Sequence, residues 1–197
     1  MVEPLFRFTD PLVAGQTLQL TGPEGHHAAA VRRLRVGEAI ALTNGRGLKA
    51  RGVVSAVGPK QLTASIQTVE TIELPAVTFT FIQAVAKGDR DELAIQAATE
   101  LGTTKVVPWQ AERSISKWDG KEQKNRERWQ QIVDEAAKQA LRPWFPEVAQ
   151  VQSSKSLAKQ ISESVGTYLV LDPTSPISLN QVELSKSGEV ALIVGPE

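Results

Sequence analysis

Basic side chains follow two neighbouring candidate strands in the middle of the sequence. Lys87 and Arg90 come just after the apolar run Val77–Val85, and Arg113 comes just after Lys105–Trp109. Ammonium and guanidinium groups suit phosphate, and open α/β folds place ligands beyond the carboxyl ends of parallel strands. The alternative is that these cations only cover a helix N-terminus, where positive charge is mildly unfavourable. The spacing therefore favours a phosphate-binding edge.

A second basic cluster lies in the first third of the chain. Arg32, Arg33 and Arg35 crowd the end of a predicted short helix. Cations at a helix C-terminus complement its dipole, which explains part of the cluster. Three arginines exceed that need, and RNA phosphate is a plausible partner.

A polar row occurs on a predicted long helix. Glu135, Gln139 and Arg142 recur at spacings of four and three, so they share one face. An ordinary solvated face and a binding face both explain this row.

The residue types that are missing narrow the chemistry. The sequence has no cysteine and only two histidines, His26 and His27, and no cluster has metal-ligand spacing. We therefore expect no metal site. A Ser-His-Asp triad would need a histidine from the β-rich part, away from the α/β part. Neither GxxxxGK nor a GxGxxG after a strand is present, so most hydrolase and dinucleotide-binding hypotheses are weakened.

Charge is balanced overall but unevenly placed. The net charge is +0, which argues against a general polyanion binder. Residues 1–72 hold eight Lys and Arg against five Asp and Glu, about +3, whereas residues 143–197 hold three Lys against six Asp and Glu, about −3. The first third can therefore contact nucleic acid, although a solvated face on a neutral protein is an equal alternative.

No targeting or membrane segment is apparent in the sequence. The start Met1–Pro4 has no basic or apolar signal-peptide region, and no apolar run approaches the ~20 residues of a membrane span. We expect a cytoplasmic protein with no membrane partner.

Residues 1–72 have the pattern of a small β domain. Gln16–Leu20, Ala39–Thr43 and Gln61–Val69 alternate polar and apolar residues. Asn44-Gly45 lies between Ile40–Thr43 and Leu48–Val54 and predicts a hairpin. A short helix over His26–Leu34 interrupts the strands, and the whole suggests a compact barrel.

The pattern changes to alternating strands and helices after residue 73. The stripe Trp129, Ile132, Val133 and Ala136 predicts a long helix over Lys121–Leu141. Further strands are expected at Tyr168–Leu171 and Val190–Val194, and a weaker helix at Leu157–Ser164. Strands that alternate with helices indicate parallel βαβ units, so we place a domain boundary near residue 73.

The helix after the first of these strands carries its own boundary signals. Asp89 and Glu92 have the spacing of a capping box, and Gly102 is a natural C-terminal stop.

The last apolar run ends at a turn. Val190–Val194 reads as a strand buried on both faces, and Gly195-Pro196-Glu197 follows it directly. Because ligands sit beyond such strand ends, we expect a chain that looks cut short at its active edge.

Taken together, these motifs resemble one family in their order along nearly the whole chain. Gln83–Arg90, Ile95–Gly102 and Glu112–Ser114 are similar to the 16S rRNA (uracil-N3) methyltransferases of the RsmE type. Further matching segments are Arg128-Trp129, Glu135–Gln139, Arg142, Pro146, Gly195–Glu197, and in the first domain Gly25–His27, Val31–Arg35 and Gly37-Glu38.

The resemblance implies a fold and a reaction. It implies a PUA-like β-barrel for RNA recognition over residues 1–72 and a SPOUT-type α/β methyltransferase domain with a trefoil knot over residues 73–197. It also implies S-adenosyl-L-methionine as cofactor, a homodimer, and methylation of N3 of one uridine in 16S rRNA of the assembled small subunit. It assigns no catalytic base.

The resemblance also implies site residues. Cofactor contacts are expected at Leu171, Gly195, Pro196 and Glu197. RNA contacts are expected at Arg7, Arg32, Arg33, Arg35, Lys87, Arg90, Arg113 and Arg142.

The sequence departs from the family pattern at two places. The family continues past Gly-Pro-Glu into two glycines and a helix, so the knot-forming part is expected to be missing here. Ala140-Leu141 follows Gln139, where the family commonly has small polar or basic residues. An RNA-binding module without transferase activity, and an unrelated α/β enzyme acting on a phosphate ligand, are therefore the rival hypotheses.

Overall fold

The computed structural model describes residues 3–196 and divides into two compact units. The first unit runs to Leu74 and takes in Lys138–Phe145, and the second holds Pro75–Ala137 and the chain from Pro146 onward. The sequence-based division assigned Lys138–Phe145 to the second domain. Trp144 explains the difference, because its Nε1 donates to the carbonyl of Ile72 at 2.6 Å.

The first unit is a five-stranded sheet. Its spatial order is β1-β3-β4-β5-β2, with β1 parallel to β3 and the other pairs antiparallel. The strands are β1 Leu5–Arg7, β2 Thr17–Leu20, β3 Ala39–Thr43, β4 Leu48–Gly58 and β5 Gln61–Thr71. Inward-facing apolar side chains such as Phe6, Leu42 and Leu62 form its core.

The predicted hairpin between β3 and β4 is confirmed. Asn44 Oδ1 accepts hydrogen bonds from the backbone N–H of Arg46 at 2.7 Å and of Leu48 at 3.2 Å. Gly45 supplies the positive φ of 73° that the turn needs.

The helix of the first unit differs from the prediction over His26–Leu34. It begins earlier, as α1 over Gly22–His26 with Pro23 in its first turn, and continues as a π-helix over His27–Val31. Arg33 has a φ of 54°, a left-handed conformation that ends the helix before Leu34. Local periodicity does not distinguish a π turn from an α turn.

The second unit is a parallel sheet flanked by helices. Its order is β10-β11-β6-β7-β8, and β9 also pairs with β7. The strands are β6 Val77–Ala84, β7 Lys105–Gln110, β8 Glu147–Val148, β9 Gln152–Ser153, β10 Thr167–Leu171 and β11 Gly188–Val194. The helices are α2 Arg90–Leu101, α3 Glu122–Gln139 and α4 Ser154–Glu163, with a short 3-10 turn at Leu179–Gln181.

The apolar stripe of α3 faces a core, as predicted. Trp129 and Val133 are buried, and the ring of Trp129 meets that of Trp118 edge-on at 4.9 Å. The helix ends at Gln139, before the predicted end at Leu141. Leu141 itself has a positive φ of 55°.

The termini of α2 match the prediction at one end only. Gly102 closes the helix with a left-handed φ of 119°. Asp89 occupies the N-cap position, but its side chain makes no capping bond, so the predicted capping box is wrong. Asp91 instead accepts from the backbone N–H groups of Ala86 at 3.1 Å and Glu92 at 2.9 Å.

Candidate functional site

The parallel register brings the predicted cofactor residues to one edge of the second sheet. Leu171 pairs with Val194, and Val194 pairs in turn with Gln83. Gly195 and Pro196, which follow Val194 directly, therefore lie next to the carboxyl end of β10. Glu197, the fourth predicted cofactor residue, lies outside the described residues.

A groove of about 690 Å³ follows β10 and the loop after it. Its walls include Leu169, Leu171, Ile177 and Leu179, all apolar, and the carboxylate of Asp172. Leu171 is 42% exposed there, whereas apolar side chains of the sheet interior such as Ala191 are fully buried. The groove therefore offers an apolar wall with one negative charge at its end.

The charge of Asp172 is stabilised locally. Its Oδ1 accepts from the backbone N–H and the hydroxyl of Thr174, at 2.8 and 2.7 Å. These two bonds lower the pKa of Asp172 below its usual range, so the carboxylate is ionised at neutral pH.

Three of the predicted RNA-binding residues share the same sheet edge. Lys87 and Arg90 follow β6, Arg113 follows β7, and Ala84 pairs with Trp109 near the ends of these two strands. All three side chains are exposed. The sequence-based placement of these cations beyond two strand ends agrees with the structure.

The other predicted RNA-binding residues belong to the first unit. Arg32, Arg33 and Arg35 are exposed, at and just beyond the end of the π-helix. The guanidinium carbon of Arg7 lies 5.6 Å from the ring centre of Phe145. The structure thus divides the predicted set between two units.

Arg142 is the remaining member of that set. It lies in the segment that packs with the first unit and is half-buried. Burial lowers its pKa below the usual value for arginine, because desolvation disfavours the charged form.

A buried carboxylate next to Arg90 was not predicted as functional. Asp91 is 5% exposed, and burial raises its pKa above 3.8 in spite of the two backbone donors it has. It borders a pocket of about 290 Å³ together with Lys117, Lys121 and Arg128. Sequence reasoning missed Asp91 because it lies inside the apparent capping box.

The ion pair across α2 and α3 also borders this pocket. Arg128 Nε lies 2.5 Å from Glu92 Oε1, and its Nη2 donates to Glu92 Oε2 at 2.8 Å. This two-pronged contact ties the first turn of α2 to the middle of α3.

A second ion pair, in the first unit, was also missed. Lys138 is 6% exposed, and its ammonium lies 2.6 Å from Glu24 Oε1. No local sequence signal indicates this pair, since the two residues are 114 positions apart.

Residues 3–196 contain neither a metal-binding cluster nor a membrane-spanning helix. No group of three or more His, Asp or Glu side chains in that range can hold a metal ion. No helix within the described part of the chain is long and apolar enough to span a membrane.

Two family models match the chain. An RNA methyltransferase domain matches residues 73–197, and an RNA methyltransferase PUA domain matches residues 20–67. A relative in Mycobacterium bovis, ribosomal RNA small subunit methyltransferase E, is 36% identical over 202 residues, which cover 100% of this chain and 77% of the relative. This chain belongs to the ribosomal RNA small subunit methyltransferase E family.

Other members agree with this assignment. The methyltransferase E of Bacillus subtilis is 31% identical over 92% of this chain and 74% of its own length. The crystal structure of the Neisseria gonorrhoeae methyltransferase E, bound to S-adenosyl methionine, superposes with a TM-score of 0.85 at 29% identity, covering 99% of this chain and 80% of that chain. A methyltransferase of Legionella pneumophila in complex with the same cofactor has a TM-score of 0.85 at 27% identity, covering 100% and 81%. The resemblance drawn from the motifs is therefore confirmed.

Proposed function

We propose that this chain transfers a methyl group from S-adenosyl-L-methionine to N3 of a uridine in 16S rRNA of the small ribosomal subunit. Membership of the methyltransferase E family supports the reaction class. The observation that carries the proposal is the register of β10 with β11, which pairs Leu171 with Val194, the residue before Gly195 and Pro196. Leu171 also lines the groove at this sheet edge.

The groove fits the chemistry of the cofactor. Its volume of about 690 Å³ is within the usual range of small-molecule sites. Leu171 and its apolar neighbours suit the adenine ring, and the carboxylate of Asp172 suits a ligand that carries positive charge. Leu171, Gly195, Pro196 and Glu197 are the proposed cofactor contacts.

The cofactor supplies an activated methyl group on a positively charged sulfur. In the transfer, the bond from N3 to the methyl carbon forms as the carbon–sulfur bond breaks, and the bonding electrons remain on sulfur. The N3 proton leaves to a base. The task of the protein is then mainly to hold donor and acceptor in line, which lowers the entropic part of the barrier.

The uridine must present its Watson–Crick edge, because N3 is hidden in a base pair. Enzymes that modify bases act on unpaired or flipped nucleotides and hold the flanking backbone. Lys87, Arg90 and Arg113 are proposed to bind phosphates at the sheet edge. Their exposure and their place at the strand ends support this role.

The first unit is proposed to recognise the RNA as a PUA-like barrel. Arg7, Arg32, Arg33, Arg35 and Arg142 are its proposed RNA contacts. This unit holds ten Lys and Arg against six Asp and Glu, a net charge of +4, while the second unit holds twelve against sixteen, a net charge of −4. A positive recognition unit favours association with RNA.

The similarity to cofactor-bound family members also supports finer proposals. We propose that the second unit has the SPOUT-type α/β fold, and that the protein acts as a homodimer. We place the reaction in the cytoplasm, where small subunits are assembled.

The proposal is tested by methyl transfer to small subunits purified from a strain that lacks this methylation. The protein is incubated with these subunits and with cofactor that carries a tritiated methyl group. We expect label in the RNA, and much less label when large subunits replace small ones. Binding of the subunits without cofactor binding or label would support an RNA-binding module instead and would contradict the proposal.

A further inference from the structure

A pocket of about 370 Å³ opens in the first unit. Three separate segments form its walls: the start of β1 with Glu3, the π-helix with His27 and Arg32, and the end of α3 with Lys138 and Gln139. All of these residues belong to the first unit. The volume lies near the lower end of the range for small-ligand sites, which suits one ring system with its attached sugar.

The imidazole ring of His27 lines the pocket and packs against a buried phenylalanine. The ring of His27 packs edge-on against Phe6, with 5.7 Å between ring centres and 73° between planes. Phe6 is 1% exposed, so it is fixed in the core, whereas His27 is half-buried and lines the pocket. Aromatic and imidazole rings in such positions stack on unpaired bases.

The polar groups of the wall suit a base and its phosphate. The exposed amide of Gln139 both donates and accepts, as base edges do. The guanidinium of Arg32 is exposed and is suited to phosphate. The carboxylate of Glu3, the acidic member of the wall, lies 3.8 Å from Arg51, which offsets its charge.

A buried ion pair borders the pocket. Lys138 is 6% exposed and pairs with Glu24. Because Glu24 Oε2 also accepts from the backbone N–H of Arg7 at 3.2 Å, the pair ties the end of α3 to β1, and so fixes two of the three walls. The net charge of +4 on the first unit favours an anionic ligand.

We propose that this pocket, the His27 pocket, holds one unpaired nucleotide of the RNA substrate. Its base stacks on His27, its base edge meets Gln139, and its phosphate pairs with Arg32. This inference rests on the proposed RNA substrate and adds an anchoring site within the first unit. No residue of β10 or β11 lines the His27 pocket, so it is distinct from the groove proposed for the cofactor.

His27 and Arg32 line the pocket, whereas neighbouring residues of the same types do not. His27 lines the pocket and His26 does not, although both are histidines of one helical segment. Arg32 lines it, whereas Arg33 and Arg35 do not. His26 therefore serves as the matched control for His27. Because Arg33 and Arg35 are themselves proposed RNA contacts, the control for Arg32 is Lys60, an exposed cation of the first unit that does not line the pocket.

The test compares His27→Ala with His26→Ala, and Arg32→Ala with Lys60→Ala, in the whole protein. One readout is KM and kcat for methylation of small subunits, and the other is the affinity for a short fluorescein-labelled single-stranded RNA. We expect His27→Ala to raise KM and to weaken RNA binding by about ten-fold, the size of a lost base–aromatic stack, with kcat and cofactor affinity unchanged. His27→Phe keeps the ring and is expected to retain most of the affinity.

The RNA-binding readout separates this inference from the proposed function. If the wild-type protein methylates no RNA, the proposed function fails, and the labelled RNA still tests the pocket. Equal RNA affinity of His27→Ala and His26→Ala would overturn the pocket. An equal loss of RNA affinity in His27→Phe and His27→Ala would also overturn it, provided that both variants keep the thermal midpoint of the wild type. If His27→Ala does not fold, the Arg32→Ala and Lys60→Ala pair decides, and equal affinities there overturn the pocket.

Discussion

The ammonium of Lys138 lies 2.6 Å from the carboxylate of Glu24 and joins the end of α3 to the helical segment of the first unit. Both partners are shielded from solvent, at 6% and 21% side-chain exposure. A charge in such a position is tolerated only when it is paired. This contact, together with the hydrogen bonds of Trp144 and Phe145, explains why Lys138–Phe145 packs with the first unit.

Replacing Lys138 is therefore expected to destabilise the protein. Lys138→Met leaves Glu24 shielded without its partner, and we expect a loss of about 2–4 kcal/mol in the free energy of unfolding, measured by urea titration. Arg128→Met removes an ion pair whose cation is 62% exposed and is the control, with a smaller loss expected. In the double variant Lys138→Met with Glu24→Gln, part of the stability should return. A loss from Lys138→Met no larger than that from Arg128→Met would contradict this role.

The buried carboxylate of Asp91 makes stability depend on pH. Burial raises its pKa above 3.8 in the folded protein, so the folded state binds this proton more tightly than the unfolded chain does. The stabilisation that results is complete below 3.8 and is lost as the pH rises through the raised pKa. We expect the unfolding free energy of the wild type, minus that of Asp91→Asn, to fall as the pH rises through this window and then to level off. Asp89→Asn controls for the loss of one negative charge, and parallel curves for the wild type and Asp91→Asn would count against the assignment.

How far the sequence predicts this structure depends on whether the determining contacts are local. The stripe with Trp129 and Val133 places α3, and Gly102 stops α2, because neighbours along the chain decide both features. The attachment of Trp144 to Ile72 joins residues 72 positions apart, and no local pattern contains it.

The candidate sites also differ in whether local sequence predicts them. The positions of Lys87 and Arg113 after two strands follow from chain order once the strands are recognised. The His27 pocket needs three distant segments to meet, and Asp91 rather than Asp89 receives the backbone bonds because of how the chain turns between β6 and α2. Motif order identifies the family, but it does not yield these contacts.

Leu171 provides a test of the cofactor groove. Leu171→Arg places a long cation in the apolar wall, where it repels a ligand that carries positive charge. We expect the affinity for S-adenosyl-L-methionine to fall at least about ten-fold by isothermal titration calorimetry, the effect of roughly 1.4 kcal/mol. Val165→Arg alters an equally apolar, fully exposed side chain that does not line the groove, and should leave the affinity unchanged. Wild-type affinity in Leu171→Arg would remove Leu171 from the site.

The cations at the sheet edge are tested by salt dependence. If Lys87 and Arg113 each bind an RNA phosphate, Lys87→Gln and Arg113→Gln should each reduce the slope of log affinity against log salt by about one. Lys186→Gln is the control, because Lys186 precedes β11 and so belongs to the opposite edge of the sheet. The prediction fails if all three variants have the same slope as the wild type. Cofactor affinity should be unchanged throughout.

The most direct test of the proposed reaction is the identity of the methylated nucleoside. Small subunits that lack the modification are incubated with the protein and cofactor, and their 16S rRNA is digested to nucleosides for mass spectrometry against authentic standards. The account predicts N3-methyluridine, formed only when both protein and cofactor are present. Methylation of another base or another uridine atom, or no methylated product from a protein that binds both cofactor and subunits, would contradict it.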